Sequence, residues 1–270
     1  GESAINYRSI KEQVSHIKIL QEWNDLIDGL PGKNYSILNL IRVLESTKNS
    51  NIKYQEVEAL LRRPDISTQL LAINIFGYTN LLRKINVIPD IFIGHSAGET
   101  DAIVLAGLAG KPTKSRIKDI LTELHHFFEK SVELNSLTQG NTYAISGVSP
   151  DIVQKICKNQ TDTHIVSINS DQHCVVFTTQ CDLFCQDELI NNGAIITPTP
   201  LTRPYHTPHF QNAASSYSEL YQKLIPDDTK YHDKTTVVSC LNSNLYKADK
   251  NDIINTLISQ WSHTVDFRMA

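Results

Sequence analysis

Val87-Ile88-Pro89-Asp90-Ile91-Phe92-Ile93-Gly94-His95-Ser96-Ala97-Gly98-Glu99 is the stretch that decides the fold of this chain. Its first half is a short apolar strand behind an X-Pro entry, because the residue before a proline is held extended. Thr100 to Leu108 follows, apolar at Ala102, Ile103, Leu105 and Ala106, and reads as a helix. Strand, tight glycine turn and helix are the core of an α/β domain. Gly94-His95-Ser96-Ala97-Gly98 fits the G-x-S-x-G pattern of a nucleophile elbow. In that turn small neighbours let the backbone fold sharply and the serine hydroxyl is lifted out of the sheet. The Ala97 N–H, at the helix N-terminus, is aimed at a developing oxyanion. A purely structural glycine turn is the competing reading; the strand before and the helix behind favour a nucleophilic Ser96.

Upstream, the sequence reads helical. Apolar residues from Ile10 to Ile27 fall close to helical spacing, and Pro31-Gly32 ends that run. Tyr35 to Leu44 and Tyr54 to Leu61 suggest two shorter helices, and Ser67 to Lys84 a longer one. Downstream, the texture changes near Gly140. Strands are expected at Tyr143–Ile145, His164–Ile168, Cys174–Phe177 and Ala194–Thr197, with helices at Pro150–Lys158, capped by Ser149, and at Thr179–Asn191. The order βαββαβ is the ferredoxin-like signature. The expected architecture is therefore an α/β large domain over residues 1–140 and 199–270, interrupted by a small subdomain over 141–198.

Composition sets the outer bounds. The chain has 270 residues, 40% hydrophobic and 20% charged, with a net charge of −4. Such a balance gives no bulk attraction to nucleic acid or anionic membrane. The longest uncharged runs, Ile66–Leu82 and Leu134–Pro150, are 17 residues each and polar in part, short of the roughly 20 apolar residues of a membrane span. The five cysteines are too scattered for a disulfide framework, and Cys181 and Cys185, four apart, would share one helix face; reduced thiols in a cytoplasmic setting are expected. Gly1-Glu2-Ser3 shows neither a secretory signal nor an initiator Met, which points to excision from a longer chain or a cloning remnant.

A serine nucleophile needs a base. Among ten histidines, His95 adjoins Ser96 on the turn and points elsewhere. His206 lies in Arg203-Pro204-Tyr205-His206-Thr207-Pro208-His209, a proline-braced loop just after the last small-subdomain strand, where loop residues tend to line a cleft.

These segments together resemble a known family. Gly94-His95-Ser96-Ala97-Gly98-Glu99 is similar to the GHSxGE motif of the acyltransferases of fatty-acid and polyketide synthases, the malonyl-CoA:acyl-carrier-protein transacylases. In chain order, Thr68-Gln69-Leu70-Leu71-Ala72, Pro89-Asp90, Val166-Ser167-Ile168-Asn169-Ser170 with Val175-Val176, Tyr205-His206-Thr207-Pro208, and Gln260-Trp261 with Val265 resemble further family segments. The resemblance implies an α/β-hydrolase-like large domain with an inserted ferredoxin-like subdomain. It implies Ser96 as nucleophile, His206 as base, Ala97 at the oxyanion and Gln260 beside the imidazole, whose orientation comes from the backbone near a glutamine rather than from a buried acid. It implies a ping-pong transfer of an acyl group from acyl-CoA to Ser96 and on to the phosphopantetheine thiol of an acyl carrier protein. No bound cofactor, metal, nucleic acid or membrane is expected, and the chain is either free-standing or part of a larger synthase.

The sequence departs from the family at three places, one of them Arg203-Pro204-Tyr205-His206, where the malonyl pattern of the family reads HAFH. The sequence shows no GQG-type strand, whose glutamine lines the family's oxyanion hole; it lies upstream of the given sequence or is absent, and loss of one such donor costs about 10²–10³ in rate. Malonyl-using members also carry an arginine on a helix after the elbow, which clamps the free carboxylate. Allowing a small insertion near Gly110–Lys114, His125 falls at that position. His95, His125, Asn169, Arg203 and Tyr205 are the candidate pocket residues, with Arg203 a possible substitute cation. The leading expectation is an acyltransferase not selective for malonyl in the standard way. The alternatives are an acyl hydrolase of the same fold, and a degenerate domain that docks carrier proteins.

Overall fold

The structure, a computed structural model, describes residues 14–30, 64–130, 139–183, 185–232 and 234–268. In chain order the principal elements are α1 (Lys18–Asp28), α2 (Pro64–Lys84), β1 (Ile91–Ile93), α3 (Ala97–Ala106), α4 (Lys114–Lys130), β2 (Asn141–Ser146), α5 (Pro150–Cys157), β3 (Thr163–Ser170), β4 (His173–Thr178), α6 (Gln186–Asn191), β5 (Ile195–Thr199), a 3-10 turn (Pro208–Phe210), α7 (Gln211–Leu224), β6 (Thr236–Val238), α8 (Lys250–Ser262) and β7 (Val265–Asp266). The expected helices at Tyr35–Leu44 and Tyr54–Leu61, and the Pro31-Gly32 stop, lie outside the described residues. No helix of the described residues is long and apolar enough to cross a membrane.

Contacts divide the chain into two compact units. The first, residues 1–90 and 109–131, carries α1, α2 and α4. One face of α1 buries Ile19, Leu20, Trp23 and Ile27. Trp23 packs against Phe76 of α2, ring centroids 5.8 Å apart. The next residue of α2 is Gly77, where a Cβ would come within 2.2 Å of Leu20 Cδ2, so the missing side chain sets how closely the two helices approach. α4 buries Ile117, Ile120, Leu121 and Leu124, the helical spacing of a core-facing stripe.

The second unit, residues 91–108 and 132–270, holds the elbow and the small sheet. β1 pairs in parallel with β6, and α3 follows β1 directly. α3 is buried on nearly every side, at Glu99, Ala102, Ile103, Val104, Leu105 and Ala106, as expected of a helix at a domain core. β2 to β5 form an antiparallel sheet in the order β5-β2-β4-β3, and β7 adds a fifth strand, parallel to β3. The order is that of the ferredoxin-like fold expected from βαββαβ. Its helices cover a core of Ile145, Val153, Cys157, Cys174, Val176, Leu183, Cys185 and Leu189. Ser149 caps α5, its side chain accepting from Ile152 N–H.

One predicted helix is shorter than its sequence suggests. Thr179–Asn191 yields only Gln186–Asn191. The preceding residues are held as bends: Thr178 Oγ1 accepts from Gln180 N–H, and Asn141 Nδ2 donates to the carbonyls of Gln180 and Cys181. Cys181 and Cys185 therefore share no helix face. Cys181 is exposed, while buried Cys185 lies 3.1 Å, sulfur to sulfur, from Cys157.

Candidate active site

The elbow is built by steric exclusion. Ser96 has φ 57° and ψ −123°, a left-handed value rare for a residue with a side chain. The turn brings Gly94 against the start of α3: a Cβ there would lie 2.2 Å from Glu99 N and from Gly98 C and O. Gly94 is thus a geometric requirement. Gly98 is not; among the described residues a Cβ at that position meets nothing within 4 Å. Ser96 precedes the first residue of α3, so the Ala97 N–H belongs to the unsatisfied, electropositive end of that helix.

His206 is delivered by a second strained residue, with φ 63°. Its N–H donates to the Trp261 carbonyl (2.9 Å), and its ring stacks on the Trp261 indole, centroids 5.9 Å apart and planes 3° from parallel. Thr207 Oγ1 donates to the Pro204 carbonyl (2.6 Å) and closes the loop. So held, His206 Nε2 lies 2.6 Å from Ser96 Oγ, and Nδ1 lies 2.7 Å from the carbonyl oxygen of Gln260. A carbonyl only accepts, so Nδ1 carries the proton and Nε2 offers its lone pair to the serine hydroxyl. Burial pushes the imidazole pKa down to about 4; the Gln260 carbonyl opposes that shift and His95 adds to it.

Behind His206 stands a buried carboxylate. Glu99 is fully buried on α3. It accepts from Gln260 Nε2, from the Tyr246 hydroxyl, and from Cys240 through both N–H (3.3 Å) and Sγ–H (2.8 Å). The side chain of Gln260 is thereby fixed to the helix that carries Ser96, while its main-chain oxygen fixes His206. Burial and the neighbouring Glu99 push the Cys240 thiol and the Tyr246 phenol well above their ordinary range, so both stay protonated donors.

The other expected residues fall in different places. His95 Nε2 lies 2.9 Å from Ser167 Oγ and 3.0 Å from Asn169 Oδ1, which ties the elbow to β3. Ser167 Oγ itself donates to Asn169 Oδ1 (2.6 Å). Burial lowers the His95 pKa, opposed by the Asn169 bond. Arg203 Nη1 donates to the Tyr205 hydroxyl (3.2 Å), and the Tyr205 ring rests between Phe210 and Trp261. His125 belongs to the first unit, buried on α4, with Nδ1 accepting from Gln69 Nε2 (3.2 Å). Sequence reasoning missed the acceptor role of Glu99, although it is the last residue of the GHSxGE match, missed Tyr246 and Cys240, and named Trp261 without its stacking on His206. The available signal for Glu99 was its place as an acid in the first turn of a helix that is apolar from Ala102 to Ala106.

No protein-family model matches the chain. The structure superposes on the malonyl-CoA–acyl-carrier-protein transacylase of Coxiella burnetii with a TM-score of 0.72 at 18% identity, covering 96% of this chain and 76% of that one. The Helicobacter pylori transacylase gives 0.71 at 17% identity, with 95% and 76% covered. A malonyl-transacylase solved in complex with a type II polyketide-synthase acyl-carrier protein gives 0.72 at 17% identity, with 94% and 76% covered. The fold is that of the malonyl-CoA:acyl-carrier-protein transacylases, as the sequence resemblance implied. By sequence the chain is similar to the highly reducing polyketide synthases claI of Penicillium crustosum, 22% identical over 213 residues, and apmlA of Arthrinium phaeospermum, 24% over 215 residues. It spans 8% of the length of each.

Proposed function

We propose that this chain is a serine acyltransferase that moves an acyl group from coenzyme A, through Ser96, to the phosphopantetheine thiol of an acyl carrier protein, as one domain of a polyketide or fatty-acid synthase. The observation that carries the reading is the 2.6 Å approach of Ser96 Oγ to His206 Nε2, with Nδ1 held by the Gln260 carbonyl, inside a transacylase fold. His206 takes the serine proton as Oγ attacks the thioester carbonyl. The oxyanion is met by the Ala97 N–H. Collapse expels the coenzyme A sulfur, which leaves as a thiol with the proton held by His206. The carrier thiol then gives its proton to His206 and attacks the acyl ester, and His206 returns that proton to Ser96 Oγ. The imidazolium formed in each half is stabilised through Nδ1–H by a carbonyl dipole, a weaker partner than a carboxylate.

The acyl group is proposed to be neutral. At the position that resemblance gives to the carboxylate-binding arginine stands His125, which accepts from an amide. A histidine is no permanent cation, and a malonyl carboxylate that loses its hydration without a paired charge does so at a cost of several kcal/mol. Intact-mass spectrometry after mixing with a panel of acyl-CoAs tests both statements. We expect an adduct from acetyl-CoA or a larger neutral acyl-CoA, faster than from malonyl-CoA, with none in Ser96→Ala. His206→Ala should slow loading by about 10²–10⁴. His125→Arg should move the preference toward malonyl. Strong malonyl loading by the unmodified chain, lost on Arg203→Ala, would assign the carboxylate to Arg203 instead. An adduct that water clears faster than a carrier thiol does would make the protein a hydrolase.

A further inference from the structure

We propose that Asp162, His164 and His209 form a binding site for a borderline divalent transition metal ion of the zinc type. The three come from separate pieces of the second unit: the turn before β3, the second residue of β3, and the 3-10 turn that follows the His206 loop. One carboxylate oxygen and two imidazole nitrogens lie within 4.8 Å of one another. The His164 and His209 rings meet edge to face, centroids 5.4 Å apart. His209 Nε2 is withdrawn from solvent and has no hydrogen-bond partner among the described residues; its nearest acidic neighbour, Asp162 Oδ1, is 3.6 Å away. An imidazole nitrogen without a bond, beside a carboxylate and a second imidazole, asks for a shared occupant. A proton serves one pair of the three; a metal ion serves all of them.

Donor chemistry selects the ion. Two imidazoles with one carboxylate suit zinc and its neighbours, whereas magnesium and calcium prefer oxygen-only sets. Around an ion with bonds of about 2.0–2.1 Å, tetrahedral donors stand roughly 3.4 Å apart, so the trio must draw in by about an ångström. Asp162, whose side chain is 47% exposed, has the freedom to supply that movement. Three protein donors leave one coordination position open. The place of the site gives it a consequence: His209 is three residues beyond His206, and a cavity of about 360 Å³ has both His164 and His206 on its wall. An ion held here fastens the loop that carries His206 to the edge of the small sheet.

The test uses the full chain without a polyhistidine tag, stripped by chelator. Zinc is titrated in competition with a chromophoric chelator, cobalt(II) is followed by its visible absorption, and thermal unfolding is read with and without zinc. We expect one tight equivalent of zinc, a cobalt spectrum of low coordination, and a rise in melting temperature. His164→Ala combined with His209→Ala should weaken zinc at least 100-fold and abolish the cobalt spectrum and the thermal shift. Asp162→Asn, at an exposed position, should weaken zinc by about tenfold, and it carries the test if the double variant does not fold. Zinc binding by the wild-type chain no tighter than by the variants, or none at all, overturns the site. None of these readouts depends on acyl transfer, so the site and the proposed activity stand or fall separately.

Discussion

A proton on His206 Nε2 removes the lone pair that faces Ser96, so the behaviour of that nitrogen in acid is the most direct probe of the site. Burial places its pKa near 4 instead of the ordinary 6.5. The acid limb of Ser96 loading should therefore lie near pH 4 to 5, and a pH profile of single-turnover loading with its midpoint at 6.5 or above would show that the ring reacts in a solvated state. Stability follows the same group. Between about 4 and 6.5 the unfolded chain binds the proton and the folded chain does not, so stability is fully present above 6.5 and declines as pH falls through that window. For a shift of this size the decline reaches about 3 kcal/mol. Glu99→Gln should cost about 2–4 kcal/mol in denaturant unfolding, because an amide presents a donor where four donors converge on a carboxylate. It should also slow loading, since Gln260 loses its anchor. Ser96 and His206 were legible in the sequence because a strained turn and a proline-braced loop leave local signatures. Glu99 as a hub was not, because its donors lie 141 to 161 residues away.

At the level of the elements, the strand–turn–helix unit makes opposite demands of its two glycines. Gly94→Ala puts a methyl 2.2 Å from backbone that cannot yield, and should either prevent folding or cost more than 3 kcal/mol. Gly98→Ala meets open space inside a helix and should be neutral or stabilising by up to about 1 kcal/mol, as thermal unfolding of the two variants will show. The pattern G-x-S-x-G treats the two alike; the packing does not. The small sheet is legible in the alternation of strand and helix signals, although of its pairings only β3–β4 joins strands adjacent in the chain; β2 pairs with β4 and β5 across intervening elements. The α6 region was over-read: helical spacing runs through Thr179–Asn191, but the Thr178 and Asn141 side chains compete for the backbone of its first turn. The fifth strand, β7, carries no strand periodicity in the sequence, because two residues are too short for it.

For the molecule as a whole, those two residues matter out of proportion to their number. β7 covers the open edge of β3, with Val265 opposite Ser167 and Asp266 opposite Ile168. Phe267 N–H donates to the Ile168 carbonyl (2.8 Å), Asp266 N–H to Cys240 (2.9 Å), and Thr264 Oγ1 to Ile165 (2.6 Å). Truncation after Ser262 should expose that edge, lower the melting temperature by several degrees and increase self-association on gel filtration; unchanged elution and melting would show the strand to be dispensable.

The spans that close the site also set when it can first exist. Ser96 and His206 are 110 residues apart, and Glu99 and Gln260 161 apart. At a translation rate of roughly 5–20 residues per second, the stretch from Ser96 to Gln260 takes about 10–30 s to synthesise. Throughout that interval the serine is an ordinary alcohol, with no imidazole oriented to take its proton. On the activity proposed above, a half-made chain among cellular thioesters would not acylate itself, and Ser96 would become reactive only once the α8 region had emerged and locked the imidazole in place.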